Sequence, residues 1–146
     1  MEVANSAQRL LEAFTGFGKL HWHRSVEGLK LSEVWVLMTI KMAIENGASG
    51  IKISDISRHL GIASPTVTQL VKGLERKGHV ERVRDDRDRR IVNVRLTGKG
   101  ESGMCAERKE LIDFFKDLVG YLGEGDSNIL ADLIFKTAGY IKDKGY

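Results

Sequence analysis

Cysteine and proline are almost absent from this chain, each occurring once among 146 residues. A single cysteine excludes an intramolecular disulfide framework and fits a reducing compartment. A single proline leaves nearly every backbone N–H free to join a helix, so a mainly helical fold is expected. No apolar run approaches the roughly 20 residues of a membrane span, and no basic-then-apolar signal pattern opens the sequence. The expectation is a cytoplasmic protein with no membrane association. There is no glycine-rich phosphate loop, no nucleophile-elbow motif and no histidine placed in sequence to activate the lone thiol, Cys105. Neither an enzyme nor a cofactor-dependent protein is indicated, and Cys105 is expected to be a small buried hydrophobe. On a helix, where each residue turns by about 100°, His21 and His23 point away from each other and cannot grip one metal ion together. No metal site is expected, unless the four histidines converge between two copies of the chain.

Charge is present in ordinary amount but is unevenly spread. With 42% hydrophobic and 29% charged residues, and a length suited to one domain, the chain has the composition of a globular protein with a real core. Its net charge is only +3. Residues 52–100 nevertheless hold 12 Lys and Arg against 6 Asp and Glu, a local +6 that leaves −3 elsewhere. A basic centre in a mildly acidic surround is the electrostatic footprint of a nucleic-acid binder.

That centre, Ile53 to Gly100, organises the chain. Ser54 is an N-cap candidate for a short helix whose Ile56 and Leu60 share a face and which Gly61 stops. Ser64-Pro65 then reads as an N-cap followed by proline at the first helical position. Val67, Leu70, Val71 and Leu74 follow at i, i+3, i+4 and i+7, and Gly78 closes that helix. Two helices so closely joined predict a helix-turn-helix. Opposite the apolar stripe lie Pro65, Gln69, Lys72 and Arg76, with Ser64, Thr66 and Thr68 at or near the N-terminal end. Hydroxyls, an amide and cations suit base edges and phosphates in a major groove, although a solvated helix face uses the same residues. Residues 80–84 and 91–96 alternate apolar and polar as strands do, around the charged run Asp85 to Arg90. Helix-turn-helix followed by a hairpin with a basic tip predicts a winged helix, with Arg84, Arg89 and Arg90 as wing residues able to reach a narrow minor groove.

The same stretch resembles the DNA-binding core of the MarR (multiple antibiotic resistance regulator) family of bacterial transcription factors. The resemblance rests on the Ser64–Gly78 helix with its Thr-Val-Thr, Leu-Glu and Lys-Gly elements, on the wing Asp88-Arg89-Arg90, and on the exit Leu96-Thr97-Gly98-Lys99-Gly100. It implies that Asp88 braces Arg90 for entry into the minor groove. Asp86 and Arg87 depart from the family pattern, which has proline and an acidic residue there. The resemblance also implies a homodimer whose DNA affinity is lowered by a small, often aromatic or phenolic ligand held between the dimer helices and the winged core. Phe17, His21, Trp22, Met38 and Met42 are candidates to line such a pocket, as well as being candidates for simple core. Some members sense peroxide through a cysteine near the N-terminus, and this chain has none there.

Outside the centre, a first helix is expected from Val3 to about Arg24, weakened by Gly16 and Gly18. A strongly apolar helix from Glu33 to Glu45, capped by Ser32, reads as the buried axis of the fold. Gly50 to Ile53 is expected as a short strand beside the wing. Thr97 opens a long helix to about Leu122, and Asp126 is expected to cap the last one. The apolar surface on these flanking helices exceeds what the core can cover, which predicts a homodimer. The expected architecture is mainly α with a small β-hairpin, one domain over 1–146, in which about 32–100 is the winged core and 1–31 and 101–146 are dimerisation helices. The function expected is that of a sequence-specific, homodimeric transcriptional repressor on a pseudo-palindromic double-stranded operator. The alternatives are a winged helix used for protein–protein contact, or a metal- or redox-responsive regulator.

Overall fold

One helix is buried along most of its length and becomes the axis: α2 (Leu31–Glu45), whose Val34, Val36, Leu37 and Ile40 are fully buried while Trp35 and Met42 reach the surface. The computed structural model describes residues 1–146. Around α2 it sets α3 (Ile53–Leu60), α4 (Ser64–Arg76), the strands β1 (Val80–Arg84) and β2 (Val92–Leu96), and the start of α5 (Gly98–Leu122). The ends of the chain are α1 (Glu2–Gly18) and α6 (Glu124–Lys144). The fold is mainly α with one antiparallel hairpin, a winged helix-turn-helix.

The core joins these elements through matching apolar positions. Ile56 of α3, Val67, Val71 and Leu74 of α4, Val80 and Val94 of the hairpin, and Met104 of α5 close on α2 in one cluster. Gly61, at φ +66°, ends α3 in the left-handed conformation that a side chain would strain, so only three residues separate α3 from α4. The hairpin runs from Val80 opposite Leu96 to Arg84 opposite Val92. Gly100 is required by close approach: a Cβ there would stand 1.8 Å from the His79 carbonyl oxygen. Thr97 caps α5, accepting from the Gly100 N–H at 3.0 Å and donating to the Gly78 carbonyl at 2.6 Å. One residue thus ties the helix start to the end of α4.

Several local expectations are corrected. Neither Ser54 nor Ser64 is a cap, because α3 begins after Lys52 and α4 after Ala63, without side-chain cap bonds. Pro65 still lies in the first turn, where its missing N–H is harmless. Lys30, not Ser32, precedes α2, and the Glu33 carboxylate returns to accept the Lys30 N–H at 2.9 Å. Gly123, not Asp126, precedes α6, which leaves Glu124 and Asp126 in the first turn, where acids suit the helix dipole. The expected strand at 50–53 contracts to one bridge, Ile51 with Val94. The first helix stops at Gly18, so residues 19–30 are irregular chain and the helical argument about His21 and His23 does not apply.

What holds residues 23–27 is a buried carboxylate. Glu107 of α5, with no exposed surface, accepts from Ser25 Oγ at 2.5 Å, Val26 N at 3.1 Å and Glu27 N at 2.9 Å, and pairs with His23 Nε2 at 3.2 Å. Burial pushes its pKa up, but these donors outweigh burial and hold it below the ordinary carboxylate value. α1 and α6 bury no residue at all.

Candidate nucleic-acid interface

The second helix of the helix-turn-helix is held by its inner face, which leaves the outer one open. Val67, Val71 and Leu74 are fully buried, whereas Ser64, Pro65, Thr66, Gln69, Lys72 and Arg76 are exposed. These are the residues predicted for this face. Thr68 is half-buried, and its hydroxyl donates back to the Ser64 carbonyl at 2.9 Å. It therefore offers an outside partner only a lone pair and a methyl group. Gln69 and Lys72 carry no such internal bond and keep their donors for a ligand.

The wing is built by side chains that fold its tip. Asp85 Oδ1 accepts the N–H groups of Arg87 at 2.7 Å and Asp88 at 3.1 Å, an aspartate turn that closes the tip. Arg84 Nη1 donates to the Arg89 carbonyl at 3.2 Å across it. Asp88 then grips Arg90 three times: through the Arg90 N–H at 3.0 Å, Nε at 3.1 Å and Nη2 at 3.1 Å. The fork between carboxylate and guanidinium fixes the plane of the arginine as well as its position. These bonds from Arg90 hold the Asp88 carboxyl below the ordinary range, with nearby Lys52 adding to the effect. The Arg90 side chain remains 91% exposed. Arg89 is exposed beside it. This arrangement presents a rigid cation to solvent without spending it on the rest of the protein.

Five residues were predicted to share a ligand pocket, and the structure does not bring them together. Met38 and Met42 line a cavity of about 720 Å³ between α2 and α5, with Met104, Cys105, Arg108, Ile112 and Lys116. His21 and Trp22 line a different cavity of about 410 Å³ with Glu110 and Asp117. Trp22 stacks on Phe114 at 5.1 Å between ring centroids. Phe17, on α1, is 63% exposed and borders neither cavity. Cys105 is exposed in the single chain, not buried as expected. Missed altogether were Met104, Arg108 and Lys116, which face α2 from a helix whose start Thr97 sets. The i, i+4 step from Met104 to Arg108 was the signal available for them.

A model of the MarR family matches residues 27–91. An uncharacterized HTH-type transcriptional regulator of Bacillus subtilis (strain 168), YdgJ, is 32% identical over 96 residues, covering 66% of this chain and 58% of its own length. The chain thus spans less than two thirds of that relative. In structure, a transcriptional repressor, CouR, bound to a 23-mer DNA duplex is similar with a TM-score of 0.67 and 25% identity, over 77% of this chain and 76% of that one. Streptococcus pneumoniae FabT in complex with DNA is similar in fold over 97% of this chain and 96% of its own, with a TM-score of 0.65 and 20% identity.

Proposed function

On the match of residues 27–91 to the MarR family model, we propose that the chain is a MarR-family, sequence-specific DNA-binding transcriptional regulator, a homodimeric repressor released by a small ligand. The observation that carries the reading is the wing fork, an arginine held rigid by Asp88 at 3.0–3.1 Å and yet 91% exposed. α4 enters the major groove, with Gln69 reading bases and Thr66, Lys72 and Arg76 on the backbone. Arg90 enters the neighbouring minor groove, with Arg84 and Arg89 on its phosphates. The DNA-bound state of the similar CouR repressor supports the same use of the fold here.

The assembly follows from what the winged core leaves uncovered. In this reading about 32–100 is the DNA-binding core, and 1–31 with 101–146 pair two copies. Apolar side chains on α1 and α6 support this, Leu10, Phe14 and Phe17 on one and Ile129, Leu133 and Ile134 on the other, each more than half exposed in the single chain. The methionine-lined cavity between α2 and α5 is the place for an effector, since a ligand there bears on both the DNA-binding core and a dimer helix. Selection of bound sequences from a random duplex pool tests the whole reading. A pseudo-palindrome with half-sites about 10 bp apart is expected. Absence of any enriched sequence, with the folded dimer present, favours a winged helix used for protein–protein contact.

A further inference from the structure

His79 lies on the link between α4 and β1, and it is 2% exposed. Neither of its ring nitrogens has a hydrogen-bond partner. Its backbone is committed, the N–H donating to the Leu74 carbonyl at 2.9 Å and the carbonyl accepting the Thr97 N–H at 3.1 Å. The ring rests on α5, where a Cβ at Gly103 would meet Nε2 at 3.2 Å. A leucine of similar bulk would fill this slot without unpaired nitrogens, so nothing in the neutral state accounts for an imidazole. The slot is also the crossing point of the molecule: Thr97 bonds to Gly78, Lys99 to the Lys77 carbonyl, and Lys77 to Gly28 and Glu33.

Charged groups face the ring from each element packed around it: Lys77 after α4, Lys99 in α5, Glu33 in α2 and Glu27 in the 19–30 segment. Glu33 is committed to Lys77 at 2.8 Å. Glu27 is exposed, and its Cγ lies 3.9 Å from the position a Gly103 Cβ would take, at the same edge as Nε2. We propose that His79 is a proton-operated latch. Neutral, it packs beneath α5 and keeps the wing in register with α4; protonated, it leaves the slot for the Glu27 carboxylate and loosens that junction. Acidification therefore weakens DNA binding. The effect on DNA rests on the function proposed above, whereas the latch itself does not.

The direction follows from the environment of the ring. Burial lowers the His79 pKa from its ordinary 6.5, and Lys99 and Lys77 lower it further against the opposing pull of Glu33 and Glu27. Between the two values the unfolded chain binds more protons than the native one. Stability present above the unfolded value is then lost as pH falls through the folded one.

The test compares the full-length protein with His79→Leu and His79→Gln, at constant ionic strength, from about pH 8 to about pH 5. Thermal unfolding without DNA and affinity for the selected duplex are both followed. Below its transition the native protein should lose up to about tenfold in affinity per pH unit for each latch. Both substituted proteins should keep their affinity or tighten slightly as other histidines gain charge. Their melting temperatures should fall less on acidification than that of the native protein, and Glu27→Gln should move the transition to lower pH. Parallel profiles of the native protein and either folded His79 substitution would overturn the latch. If His79→Leu does not fold at neutral pH, His79→Gln decides. If no duplex binds even at the alkaline end, the function reading falls, and the unfolding comparison still decides the latch.

Discussion

Asp88 carries a negative charge in the middle of the surface proposed to meet a polyanion. Charge counting alone predicts that removing it helps DNA binding. The three bonds it makes to Arg90 predict the opposite, because a guanidinium fixed in plane enters a narrow groove without first losing its freedom. Arg90→Ala should weaken binding to most duplexes and flatten the salt dependence, by about 0.9 in log–log slope for each phosphate that the arginine neutralises. Asp88→Ala should reproduce part of that loss, read by titration at several salt concentrations. Tighter binding by Asp88→Ala would reduce the wing to a cloud of positive charge. Gln69→Ala belongs to another category, with a loss of roughly 1–3 kcal/mol in discrimination at particular bases and little change in salt slope. The exposed face of α4 and the wing pair were legible from spacing and from a three-residue motif, since both are local. The pocket residues were not. Phe17, His21 and Trp22 were named as pocket candidates from the family resemblance, but Phe17 lies on α1 and His21 and Trp22 in the irregular segment after Gly18, whose anchoring no local pattern reveals.

At the scale of elements, the type of each was legible and several ends were not. Apolar residues at i, i+3, i+4 and i+7 specify α4 whatever precedes it, but its first residue depends on where the chain from Gly61 turns, and Ser64 enters the helix instead of capping it. The buried acids were equally hidden. Nothing in the sequence distinguishes Glu107 from the exposed Glu110 three residues on, because its four partners lie about eighty residues away. Glu107→Ala should leave the Val26 and Glu27 N–H groups unpaired and cost on the order of 2 kcal/mol or more in denaturant unfolding. Its pKa is held below the ordinary 4.5, so the native state binds fewer protons than the unfolded one between those values. The stability it contributes is present above about pH 4.5 and is lost as pH falls through the lower value, a loss Glu107→Ala should not show. The crossing of α5 over the α4–β1 link has its own sensitive point. At Gly100 a methyl group would meet backbone, 1.8 Å from the His79 oxygen, where no side chain can rotate out of its way. Gly100→Ala should therefore cost about 3 kcal/mol in the same measurement despite its better helix propensity. A cost near zero would mean that the link shifts freely.

At the scale of the whole molecule the question is what covers the two ends. α1 and α6 together expose Leu10, Leu11, Phe14, Phe17, Ile129, Leu133, Ile134 and Phe135, each above half of its full surface. α5 adds Phe115 and Val119. A single folded chain rarely presents so many large apolar side chains on its terminal helices. No helix is long and apolar enough to cross a membrane. The cover proposed above is a second copy, because the bare faces sit at both termini and a two-fold axis would bring each to its equivalent. The excess of apolar residues over core capacity was visible in the sequence, but which faces stay bare was not, since that depends on α1 ending at Gly18 and standing away from the winged core. Sedimentation at micromolar concentration should show one species at twice the 16.3 kDa chain mass. Phe14→Glu and Leu133→Glu, on α1 and α6, place charges in faces that bury nothing within the chain, so they should split the dimer without unfolding the winged core. The resulting monomer should keep its helical circular dichroism but bind the selected duplex far more weakly, because two recognition helices no longer dock together at one entropic cost. Split monomers that retain full affinity would show that each winged helix reads its half-site alone, and the terminal helices would then serve something other than DNA.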